Sequence, residues 1–143
     1  MKILAAALLV AALPAHAAEE FCGSGKPHSI DVRTDAGMEK ATTTVDMREV
    51  QGRAYQAWDR ELNRVYRELL RGLDKDSAAK LKKAQKAWLL WRDSETAWLW
   101  SEAMHGNSGT AGPLNVSGAG TEMVRQRTCD LMNGLRVRGT AGD

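Results

Sequence analysis

Between Thr43 and Met104, apolar side chains recur at steps of three, four or seven residues. That spacing collects them on one side of an α-helix and would scatter them over both faces of a strand. The first stretch carries Met47, Val50, Ala54, Trp58, Val65, Leu69 and Leu73, and Thr43 and Asp46 at its head have the spacing of a capping box. It predicts a helix over about 43–73. Gly72 to Lys75 interrupt it, Asp76 or Ser77 can cap a second helix over 77–104, and Leu81, Ala84, Trp88, Trp91, Trp98 and Leu99 share a broad face there. The expected architecture is all-α: an antiparallel hairpin of two long helices with a short connection, completed by a third, C-terminal helix.

The flanks read differently. The segment HGNSGTAGPLNVSGAG, residues 105–120, holds five glycines and a proline and is expected to be a loop. A closing helix over about 121–137 places Val124, Thr128, Leu131 and Leu135 on one side, and residues 139–143 form a polar tail. Residues 18–41, rich in Gly, Ser, Asp and Lys and without periodicity, read as an irregular arm. The helical domain then spans 42–138.

Residues 1–17 have the layout of a secretory signal peptide: Lys2, an apolar run from Ile3 to Leu13, then Ala15, His16 and Ala17, with cleavage expected after Ala17. The run is too short for a permanent membrane span, no second one follows, and Cys22 lies in the wrong context for lipid attachment. The formal charge of +2 falls by one when Lys2 is removed, and bases and acids alternate along the helical stretches, so no nucleic-acid partner is expected. The two cysteines, Cys22 and Cys129, invite a disulfide in an oxidising compartment, with free thiols or an intermolecular bond as the alternatives.

Little in the chain suggests catalysis. After the signal only His28 and His105 remain, far apart in sequence and without a visible partner. There is no CxxC, HExxH or phosphate-binding glycine motif, so no metal or cofactor is expected, and the sequon at Asn115 carries no weight. More informative are polar residues inside the apolar stripes. Gln85, Arg92 and Glu95 share the face of Leu81 and Trp88, while Asp59, Asn63 and Tyr66 form a second stripe on the first helix. In a hairpin, Arg92 would be satisfied by Asp59, Glu95 or both, with Asn63, Gln85 and Tyr66 completing a structural network. The alternative is a cleft that grips a ligand. Trp58, Trp88, Trp91 and Trp98 have core spacing, whereas Trp100 points elsewhere, as an interface anchor or as packing beneath a loop.

AYQAWDRELNRVYRELL (Ala54 to Leu70) followed by LKKAQKAWLLWRDSE (Leu81 to Glu95) resembles the LprI-like lysozyme-inhibitor family. The pattern falls on Asp59, Leu62, Asn63, Tyr66, Gln85, Trp88, Arg92 and Asp93, with weaker similarity at Gly109, Thr110, Arg127 and Leu131. Where family members place a cysteine after the Arg-Asp pair, this chain has Thr96, so the position of any staple differs. The resemblance implies a non-enzymatic periplasmic or secreted protein that binds c-type lysozyme, a basic protein with a sugar-binding groove. Asn107, Ser108, Thr110 and Asn115 of the loop, together with Trp100, are the candidate contacts. A different envelope protein, bound by an immunity-like module, is the alternative partner.

Overall fold

The computed structural model describes residues 20–106 and 108–140. The expected signal peptide, Asn107 and the last three residues of the polar tail lie outside the described residues. Among those described, the fold is all-α with five helices: α1 (Ser29–Lys40), α2 (Thr44–Arg71), α3 (Lys75–Leu99), α4 (Glu102–His105) and α5 (Ala111–Thr140). Among the described residues no helix is long and apolar enough to cross a membrane.

Helix α2 forms as its pattern dictates. The Thr43 hydroxyl accepts from the Asp46 amide at 3.1 Å while the Asp46 carboxylate accepts from the Thr43 amide at 3.0 Å, closing the capping box. Val50, Ala54, Trp58, Leu62, Val65 and Leu69 are buried along one side. The cap of α3 is Asp74, whose carboxylate accepts from the Ser77 amide at 2.9 Å, and not Asp76 or Ser77.

Two segments differ from expectation. The arm is helical from Ser29 onward, with the His28 ring nitrogen accepting from the Ile30 amide. Only Ile30 of α1 is buried, so no stripe announces the helix; docking on α2 holds it, with a Cβ at Gly37 able to approach Val50 to 3.1 Å. Similarly, α5 begins at Ala111, well before Thr121, and takes in most of the expected loop. Pro113 lies in its first turn, where an amide hydrogen has no intrahelical partner to lose. The following glycines face α2, a Cβ at Gly118 standing 3.6 Å from Gln51, so burial against a neighbour offsets their poor helix propensity.

The packing order also departs from a simple hairpin. The closest helix pair is α2 with α5, then α1 with α2, whereas α3 approaches α5 only partly and α2 still less. Small residues on α5 permit the close approach; α3 offers Gln85, Trp88 and Arg92 instead, which hold it off. The core joins Phe21, Ile30, Trp58, Leu62, Val65, Leu69, Val124 and Leu131. Thr128, fully buried among them, is satisfied by the Val124 carbonyl at 2.8 Å. Cys22 and Cys129 form a disulfide with Cα atoms 5.4 Å apart, fastening the segment before α1 to α5.

Candidate functional site

The polar residues singled out on the first two long helices converge on a pocket of about 240 Å³ between α2 and α3, lined by Asp59, Asn63, Tyr66, Gln85 and Arg92. Glu95 is not on it. Within the pocket Asn63 donates to the Asp59 carbonyl at 2.8 Å and to its carboxylate at 3.1 Å. The expected pairing of Arg92 with Asp59 or Glu95 is replaced by a shorter-range one: its guanidinium donates twice to Asp93, at 2.8 and 3.1 Å, and lies over the Trp88 ring at 5.4 Å. Burial disfavours the Arg92 charge, but the Asp93 hydrogen bond and the charges of Tyr55, Asp93 and Asp59 outweigh it, raising its pKa above the ordinary arginine value. Gln85 turns toward α5 and accepts from Arg127 at 3.0 Å. Because α3 stands off α2, the network closes through α5.

A second polar cluster escaped the sequence reading. Asp31 of α1 accepts from the Trp58 indole of α2 and from Arg125 of α5, each at 3.0 Å. Arg125 lies 5.1 Å from the Phe21 ring centroid, and the His28 ring stands 4.6 Å from that of Trp58. Burial again opposes the Arg125 charge, and Asp31 with Glu122 overcomes it, raising the pKa. Only Trp58, at a core position, hinted at this cluster; the two charged partners are far from it in sequence and belong to no periodic stripe.

The tryptophans divide unexpectedly. Trp58 is buried and Trp88 partly so, but Trp91 and Trp98 are 50% and 51% exposed, comparable to Trp100 at 45%. The core placement expected for Trp91 and Trp98 is therefore corrected: Gln85 is the one buried residue of α3, and its indoles flank the contact instead of filling it. Trp88 and Trp91, with Met123 opposite, line a groove of about 560 Å³ between α3 and α5.

At the α3 terminus, Trp100 meets the His105 ring edge-on at 5.2 Å, and the His105 Nδ1 lies 2.9 Å from the Ser101 carbonyl. Ser108 and Thr110 sit in the short connection to α5, while Asn115 is exposed on α5 itself. His28 and His105 are thus both engaged with aromatic neighbours. Among the described residues no group of three or more His, Cys, Asp or Glu side chains could hold a metal ion. The arrangement supplies surfaces and hydrogen-bond donors for binding.

The chain is 33% identical over 105 residues to an uncharacterized protein of Rhizobium meliloti (strain 1021), covering 64% of this chain and 73% of that protein. No solved structure matches it. The family model described as lysozyme inhibitor LprI matches residues 35–131, which takes in the second half of α1, all of α2, α3 and α4, and the greater part of α5. The chain belongs to the LprI lysozyme-inhibitor family.

Proposed function

We propose that this protein is an exported inhibitor of c-type lysozyme that acts by binding, without chemistry of its own. The observation that carries the reading is the family match over residues 35–131, which covers the whole α2–α3 unit and its polar pocket. Export through cleavage after Ala17 accords with the Cys22–Cys129 disulfide, a bond that persists in oxidising compartments. A binding role accords with three half-exposed indoles. Trp100, Ser108, Thr110 and Asn115 belong to the proposal as ancillary contacts. With α5 starting at Ala111, the connection is too short to be the long finger that a sixteen-residue loop would make.

The test is a lysis assay. The mature protein, titrated into c-type lysozyme acting on peptidoglycan, is expected to abolish lysis near equimolar ratio. Unchanged lysis at large excess would eliminate the inhibitor reading in favour of an immunity-like envelope module with a different partner.

A further inference from the structure

The groove between α3 and α5 is an apolar surface that the fold leaves uncovered. Ala84, Ala87, Trp91 and Trp98 fall within a narrow strip of α3 at 100° per residue, on its α5-facing flank, and all four are exposed. Trp91 reaches the groove beside Trp88 and Met123. An aromatic side chain offers about 150–250 Å² for burial, so two half-exposed indoles on one strip supply on the order of 200 Å² of apolar surface.

Its charge is not what residue counting suggests. Arg92, Arg125 and Arg127 have side chains only 19%, 17% and 17% exposed; beside the buried Asp31, which Arg125 also holds, the carboxylates they meet, Asp93, Glu122 and Asp130, are 66%, 59% and 49% exposed. Each arginine is drawn inward over an aromatic ring: Arg92 and Arg127 over Trp88, Arg125 over Phe21. Solvent therefore meets those three exposed acids. Of the lysines on α3, Lys82 and Lys86 line the opposite, α2-facing pocket. Lys80 and Lys83 precede Trp91 by at least two helical turns, about 12 Å, beyond a Debye length of about 8 Å. A nearly neutral chain thus presents a locally negative, indole-bearing face.

We propose that this face, with Trp91 in the groove, Trp98 farther along the same strip, and Glu122 and Asp130 at the groove's edge, is where a cationic lysozyme docks. The proposal rests on the inhibitor reading and gives it a surface: acids steer a basic partner and indoles hold it. The complementarity comes from which members of these ion pairs face outward, so a balanced composition is no obstacle.

The experiment measures lysozyme binding and inhibition by the mature protein and three double variants at low and high salt, with circular dichroism confirming that each is folded. Trp91→Ala/Trp98→Ala is expected to weaken Kd on the order of 30-fold. Glu122→Gln/Asp130→Asn is expected to slow association about tenfold at low salt, an effect that fades at high salt. Val32→Ala/Val45→Ala, exposed apolar changes on α1 and α2 away from the groove, should shift Kd less than about threefold. If wild-type protein binds and inhibits while the two groove variants behave like it, the groove is wrong and the inhibitor reading stands. If wild-type protein neither binds nor inhibits, the inhibitor reading fails and the docking fails with it. Sedimentation as a dimer that the Trp91→Ala/Trp98→Ala change dissociates would assign the groove to a second copy and overturn the proposal.

Discussion

Asp31 and Arg125, 94 residues apart in the chain, meet at 3.0 Å with both side chains largely buried. The same carboxylate accepts from Trp58, so a single acid joins α1, α2 and α5. No local preference could bring this about; it exists because α5 packs on α2 and α1 docks across them.

Replacing Asp31 with Asn should be the most damaging isosteric change in the molecule. It would leave Arg125 shielded from water with only the exposed Glu122 at 3.4 Å for a counter-charge. Breaking one member of a buried pair costs about 3 kcal/mol or more. Urea denaturation of Asp31→Asn should show a loss of about 2–3 kcal/mol, discounted for the partial exposure of the pair, with an unchanged slope. A loss under about 0.5 kcal/mol would mean that the triad holds little together.

Arg92→Met should behave otherwise. Arg92 is paired with the exposed Asp93, and much of its contribution is its stem and guanidinium packed over Trp88. Methionine retains the apolar contact, so the variant should fold and lose less than about 2 kcal/mol. A variant that fails to fold would restore Arg92 to the central structural position expected from its sequence context.

Reduction of Cys22–Cys129 should lower thermal stability strongly. The bond spans 107 residues, and in the chain-entropy model closure of a loop of that length contributes about 4.7 kcal/mol. The Cys22→Ser/Cys129→Ser variant, melted with and without reductant, should match reduced wild type. If wild type melts at the same temperature in both conditions, the staple does not constrain the unfolded chain.

Acid should weaken a specific ion pair on α2. Arg64 grips Glu61 with hydrogen bonds of 2.7 and 3.0 Å, holding the Glu61 carboxyl below its ordinary value of 4.5 against the opposing effect of burial, with the charges of Arg64 and His28 assisting. The folded pKa is depressed, so its contribution is full above 4.5 and vanishes as pH falls through the folded value. Wild type should exceed Glu61→Gln by less than about 1 kcal/mol at neutral pH, the two converging in acid. Convergence on the alkaline side would reverse the assignment.

The α2 stripe and its capping box were legible from sequence because they are local: a periodicity of 3.6 and a Thr–Asp pair three residues apart act within one helix. Most of the polar pocket's membership was legible, since Asp59, Asn63, Tyr66, Gln85 and Arg92 line it and Glu95 does not, but its connectivity was not. Which acceptor Arg92 meets depends on how far α3 stands from α2, and spacing within each helix is silent on that distance. Trp91 and Trp98 illustrate the same limit: core spacing shows that side chains share a flank, and a neighbour decides whether the flank is covered.

Sequence alone, then, determined that the chain is helical, where its two long central helices lie and which polar side chains interrupt their faces, because backbone hydrogen bonding and side-chain period are short-range properties. Tertiary structure alone decided that the N-terminal arm and the glycine-rich stretch become helical, that α5 and not α3 is the closest partner of α2, and that Arg92, Arg125 and Arg127 turn inward while Asp93, Glu122 and Asp130 beside them face solvent. Those outcomes arise from burial, and burial is a property of what lies opposite a residue in space rather than beside it in the chain.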